Sequence, residues 1–153
     1  MIKVDVLSED KNWTKKIIKK KEFFNSIVKA FPKKYQFINK KIFLTLLLSN
    51  NMNIKKLNKQ FRKKNKATDI LSFPILKKNN IRNKSYLGDI MISYNFMDKP
   101  KKQSIKLFKD KVIKTFIHGF LHLLNYDHIK LKDYKKMFKE EQTIYQSVIK
   151  KIY

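Results

Sequence analysis

All three histidines of the chain fall within eleven residues, in the run His118-Gly-Phe-Leu-His122-Leu-Leu-Asn-Tyr-Asp127-His128. His118 and His122 are four apart on a stretch of helical periodicity, so their rings share one face about one turn apart. HExxH helices grip a single metal ion with this pair geometry. For the ring of His128 to join them, the chain must leave the helix and turn back. Asn125 stands where that reversal begins, and Asn is the best residue after Gly for a left-handed helix cap. Three neutral imidazoles with the fourth position open are the ligand set of a catalytic zinc site. The alternative is three ordinary core or surface histidines. At about 100° per residue, Val112, Ile113, Phe116, Ile117, Phe120, Leu121 and Leu124 form one apolar arc. His118 and His122 fall outside it, together with Lys111, Lys114 and Thr115, so they do not face the core.

The HExxH logic fails at one point. The residue after His118 is Gly119, so the carboxylate base of a metalloprotease is absent and peptide hydrolysis by that route is disfavoured. A helical Gly costs about 1 kcal/mol relative to Ala. Close approach by a substrate or another element explains it, and so does simple tolerance. A metal ion without that glutamate can still polarise a phosphoryl oxygen and acidify water. Asp127 either orients an imidazole or takes a proton, or is a turn residue before the last helix.

A second constellation lies upstream, from Leu57 to Arg62 and from Ala67 to Pro74. Arg62 is one of two arginines in a chain that otherwise uses lysine. A planar, forked donor suits bidentate phosphate recognition, although a plain surface arginine has the same spacing. Ser72 is a candidate for the lining of the same cleft, but alternation does not decide which face it takes.

These residues need elements to hold them. Ile2, Val4 and Val6 alternate with polar neighbours and predict a strand. Trp13, Ile17, Phe24, Ile27, Val28 and Phe31 predict a helix ending before Pro32. Lys41 to Ser49 reads as a buried strand, and Asn53 as the cap of a helix carrying Ile54, Leu57 and Phe61 on one face. Asp69 to Phe73 and Tyr86 to Ser93 read as two more strands. Residues 77–84 form a polar loop and 99–104 a basic one. Two helices close the chain, Ile105 to Leu124 and Leu131 to Ile152. The interleaving predicts a single α+β domain over residues 1–153, with one mixed, roughly four-stranded sheet and helices packed on it.

Composition fits that plan. The chain has 153 residues, 42% hydrophobic, with Phe 12, Tyr 7 and Trp 1, enough for one core. It has no Cys, which excludes disulfides, thiolate metal sites and thiol catalysis. No apolar run reaches the ~18 residues of a transmembrane span, and no secretory signal is visible, so the expected address is the cytoplasm. The net charge is +25. Such a balance usually means a polyanionic partner, most often nucleic acid. The joint excess of 35 Lys, 19 Ile and 13 Asn over only 2 Arg also fits A+T-rich codons spreading lysine over a solvated surface.

The motifs resemble the YbeY family of bacterial endoribonucleases and ribosomal-RNA maturation factors. The family pattern H-G-x-L-H-L-x-G-Y-D-H is met by His118 to His128 at every fixed position but one, where Asn125 replaces Gly. The pattern L-N-x-x-[YF]-R, then T-[DN]-[IV]-L-S-F-P, is met by Leu57 to Arg62 and Thr68 to Pro74. Leu87 to Ile90 meet L-G-D-I. Order and spacing agree over residues 40–150. The resemblance implies a zincin-like α+β domain with one zinc ion on His118, His122 and His128. It implies cleavage of single-stranded RNA, including maturation of the small-subunit ribosomal RNA 3′ end, and ribosome quality control with the small subunit or its proteins as partners. It also implies that Arg62 matters for activity, in a basic cleft beside the metal. No membrane partner is expected from the residues themselves, since a membrane-surface helix needs a concentrated apolar face and the apolar faces of the basic helices fit a core as well.

On this reading Arg62 neutralises charge growing on the phosphate, while Ser72, Lys111 and Lys114 hold the RNA. Whether water or the neighbouring 2′-hydroxyl attacks stays open. The rival is a non-catalytic ribosome-assembly factor with a structural zinc. A weaker alternative is a metal hydrolase acting on a non-nucleic substrate.

Overall fold

The computed structural model describes residues 1–153. Four strands form one sheet in the order β1-β2-β4-β3: β1 (Ile2–Ser8), β2 (Lys41–Ser49), β3 (Ile70–Pro74) and β4 (Lys84–Ser93). β1, β2 and β4 run parallel, and β3 pairs antiparallel with β4. The sheet is therefore mixed, as the sequence suggests. β2 is central, which explains its nearly unbroken apolar run. Ile42, Leu44, Leu46 and Leu48 are fully buried on one face, while Phe43, Thr45 and Leu47 are partly covered on the other.

Six helices surround the sheet: α1 (Asn12–Lys16), α2 (Lys20–Lys29), α3 (Asn51–Arg62), α4 (Tyr94–Met97), α5 (Ile105–Leu123) and α6 (Leu131–Ile152). The main core lies between one sheet face and α1, α2, α5 and α6. α3 covers part of the opposite face, where Ile54, Leu71 and Met91 make a small separate cluster.

Two local expectations are corrected. The helix predicted from Trp13 to Phe31 is two helices, because Ile17 is extended (φ −132°) and ends α1. The break lets Trp13 donate its indole N–H to the Ser49 carbonyl (2.8 Å), while Phe24, Ile27 and Val28 enter the core from a second axis. The cap of α3 is Asn50, not Asn53. Asn50 is extended, and its side chain accepts the backbone N–H of Asn53, which is thus three residues inside the helix. The short helix α4 directly after β4 has no periodic signal long enough to announce it. Both remaining helices stand where the periodicity puts them, within one residue.

The two glycines of the chain sit where another chain segment leaves no room. Gly88 has φ +140°, and a Cβ there would lie 2.2 Å from the Phe73 carbonyl oxygen on β3. At Gly119 a Cβ would lie 2.5 Å from Ile70 Cδ1 and 3.1 Å from Ser72 Oγ. Gly119 is therefore explained by the close approach of β3 to α5.

Candidate metal centre

α5 is capped by Ser104, whose hydroxyl oxygen accepts the Leu107 N–H at 3.1 Å. The apolar arc read from the sequence is buried along its length. His118 and His122 flank it, half-buried. The helix then ends in a Schellman motif: the Asn125 N–H donates to the His122 carbonyl (2.9 Å) and the Tyr126 N–H to the Leu121 carbonyl (3.0 Å). Asn125 takes the left-handed conformation this motif needs, with φ 68°. Its side chain adds what Gly lacks. Oδ1 accepts the Lys78 N–H at 2.7 Å and Nδ2 donates to the Leu76 carbonyl at 3.2 Å. The turn is thereby pinned to the loop between β3 and β4.

The reversal brings His128 back over the helix. Ring centroids are 4.6 Å apart for His118 and His122, 5.4 Å for His118 and His128, and 5.1 Å for His122 and His128. One nitrogen from each ring lies within 4.8 Å of the others. Asp127 shapes this turn. Its Oδ1 accepts the backbone N–H groups of His128 (2.6 Å) and Ile129 (3.2 Å), not an imidazole N–H.

The outward nitrogens are both engaged. His118 Nδ1 donates to Glu141 Oε1 at 2.7 Å, and His122 Nδ1 donates to the Tyr126 carbonyl at 2.9 Å. A carbonyl only accepts, so His122 carries its proton on Nδ1, and the carboxylate makes the same demand of His118. Each neutral ring then turns a bare Nε2 lone pair inward. Those two Nε2 atoms are 3.0 Å apart. Two facing lone pairs at that distance repel unless a metal ion lies beside them or a proton is shared between them. Nitrogens on a tetrahedral zinc ion with bonds of about 2.0–2.1 Å stand about 3.3 Å apart. The donor set therefore fits a divalent ion. Burial, then the neighbouring His118, lowers the pKa of His122 below that of an ordinary histidine. The neutral, ligating form is thus the favoured one.

The upstream residues reach this centre through β3. Ser93 N–H donates to Asp69 O, so the Ser72 carbonyl, three residues along, points out of the open edge of the sheet. The Arg62 guanidinium donates to it at 3.4 Å. The Ser72 side chain faces the other way, buried under α5, and its hydroxyl donates to the Gly119 carbonyl at 3.1 Å. Arg62, Ser72 and the histidine helix are thus joined in sequence. Lys114 lies one turn before His118, paired with Asp110 at 3.2 Å and 4.9 Å over the Tyr145 ring. Lys111 donates to the Lys99 carbonyl.

Sequence reasoning missed Glu141. The sequence offers only a weak hint, that Glu140 and Glu141 are adjacent acids in a lysine-rich helix, and nothing that points to His118. Glu141 also flanks the α6 positions Met137, Ile144 and Val148 that bury against the core. Glu140 uses its carboxylate on Lys34, and Glu141 on His118.

The family model described as Endoribonuclease YbeY matches residues 7–149. A protein of Pelagibacter ubique named Endoribonuclease YbeY is 66% identical over 152 residues, covering 99% of each chain. Proteins of the same name from Buchnera aphidicola and Persephonella marina are 37% and 32% identical, over 87% and 91% of this chain and 83% and 86% of their own. The solution structure of a Thermotoga maritima protein is similar with a TM-score of 0.57 at 27% identity, over 97% of this chain and 89% of that one.

Proposed function

The chain belongs to the endoribonuclease YbeY family, and from that membership we propose that residues 1–153 form one zinc-dependent, single-strand-specific endoribonuclease domain. Its proposed work is maturation of the small-subunit ribosomal RNA 3′ end and ribosome quality control. The observation that carries the reading is the pair of inward Nε2 atoms 3.0 Å apart, their Nδ1 protons fixed by Glu141 and Tyr126.

His118, His122 and His128 hold one zinc ion in this proposal. When bound, the ion supplies Lewis-acid polarisation of a phosphoryl oxygen and a lowered pKa for water. Arg62 offers its forked guanidinium to the scissile phosphate and offsets the negative charge that grows there. The Ser72 carbonyl aims Arg62, and the Ser72 hydroxyl fixes the strand to the histidine helix. Lys111 and Lys114 lie up the same side of α5 and supply backbone charge for the RNA. Asp127 acts through the backbone, holding the bend that presents His128. A ribosomal RNA substrate places the protein in the cytoplasm, with the small subunit or its proteins as partners. No helix is long and apolar enough to cross a membrane.

One observation favours the rival, an assembly factor with a structural zinc. The carboxylates beside the histidines are both committed, Glu141 to His118 and Asp127 to backbone amides. Nuclease-free protein and its His118→Ala variant, assayed on a single-stranded ribosomal RNA fragment, separate the two. Cleavage by the parent alone is expected. Equal cleavage by both would mean contamination and leave the rival. The product ends then identify the nucleophile: a cyclic phosphate reports 2′-hydroxyl attack, a plain 3′ end reports water.

A further inference from the structure

α6 meets the core through Met137, Ile144 and Val148. Beside that seam runs a second line of side chains: Tyr134, Phe138, Glu141 and Tyr145, spaced four, three and four residues apart. Such positions share one strip of a helix surface. Half of the strip is occupied, since Glu141 accepts from His118 and the Tyr145 hydroxyl donates to Asp110. The other half is bare. Tyr134 is 52% exposed and Phe138 51%. Their rings are nearly parallel, at 13°, with centroids 6.4 Å apart. Phe138 and Tyr134 stand about 4.5 and 10.5 Å along the axis from Glu141, the acid that is bonded to His118. Between residues 130 and 139 there are five lysines and one acid, Asp133.

We infer that the first half of α6 is a stacking platform on which Tyr134 and Phe138 receive the bases of single-stranded RNA beside the tri-histidine centre. The inference rests on the RNA reading above and deepens it. Every base has a π-face, so two aromatic rings in a basic field hold a strand without reading its sequence. The lysines supply the phosphate contacts. An anionic lipid surface is a poorer occupant, because an interfacial helix needs a long continuous apolar face, and the buried face of α6 is already spent on the core.

The test is binding of a labelled single-stranded oligoribonucleotide, and of an abasic strand of equal length, to the full chain. The variants are Tyr134→Ala with Phe138→Ala, and Tyr134→Phe with Phe138→Tyr. Both sites are exposed, so an unchanged melting temperature and zinc content are expected for each. The alanine pair is expected to bind the oligomer at least tenfold more weakly and the abasic strand as the parent does. The aromatic swap retains binding. Parent-like binding by the alanine pair, or an equal loss on the abasic strand, overturns the platform while leaving the RNA reading standing. Loss of sedimentation with phosphatidylglycerol vesicles, with RNA binding intact, assigns the patch to lipid and also overturns it. Failure of the parent to bind either strand removes the RNA reading and the platform together.

Discussion

At the scale of single residues, the centre is defined by where protons sit. Glu141 and the Tyr126 carbonyl each hold an Nδ1–H, and this alone turns two lone pairs inward. Glu141→Gln keeps a hydrogen-bonding group but removes the charge that makes the imidazole a better donor to metal. It is expected to weaken zinc affinity about 10- to 100-fold, read by competition with a chromophoric chelator. His122 gives a pH prediction for metal-stripped protein. Its folded pKa lies below the usual 6.5, chiefly through burial. The unfolded chain therefore binds more protons than the folded one as pH falls through that value, and stability declines on the acid side. Urea melts of the stripped protein between about pH 7.5 and 5 are expected to show that decline, and His122→Ala to lessen it. An unchanged slope in the variant would mean that another group titrates. His118, His122 and their spacing were legible in the sequence, because i and i+4 on a helix is a local relation. Glu141 was not, because its meeting with His118 depends on how α6 docks.

Turns and caps at the scale of elements decide whether the third ligand arrives. Asn125 was readable as a left-handed cap, but its two side-chain bonds to the 76–78 loop were not, since they join segments far apart in the chain. Asn125→Gly relieves the positive φ yet loses both bonds, and its stability is expected within about 1 kcal/mol of the parent. Asn125→Ala keeps the strain and loses the bonds, and is expected to cost about 2 kcal/mol. Denaturant melts measure both, and equal stabilities would contradict the account of the turn. Gly88→Ala meets a backbone oxygen and an unfavourable φ together, so a loss of about 3 kcal/mol or more is expected. The nearest atom at Gly119 is the tip of the Ile70 side chain, which can move, so Gly119→Ala is the milder change. The central strand and the two long helices were legible because each carries a full period of burial. The split of the first helix was not, because the same apolar positions fit one long helix or two short ones. Deciding between these takes the Trp13 bond to Ser49, a contact across the fold. The face of Ser72 was likewise settled only when α5 packed against β3.

Over the whole molecule, the basic residues behind the charge of +25 are scattered along the full length of the sequence, so only part of that charge can face RNA at once. Salt dependence counts that part. If about five phosphates are contacted, affinity for single-stranded RNA is expected to fall about 100-fold between 50 and 200 mM salt. A slope near zero would leave the charge a solvated surface with no share in binding. The fold, the basic surface and the Arg62 edge gain their chemical meaning, in this proposal, from one convergence, that of His118, His122 and His128 on a shared ion. The most direct test is elemental analysis of the purified chain beside its His128→Ala variant, since that ring reaches the other two only by way of the Asn125 turn. One equivalent of zinc in the parent and a large loss in the variant is the expected result. A variant that keeps the full equivalent, or a parent that holds none and takes up none when offered zinc, would contradict the shared centre.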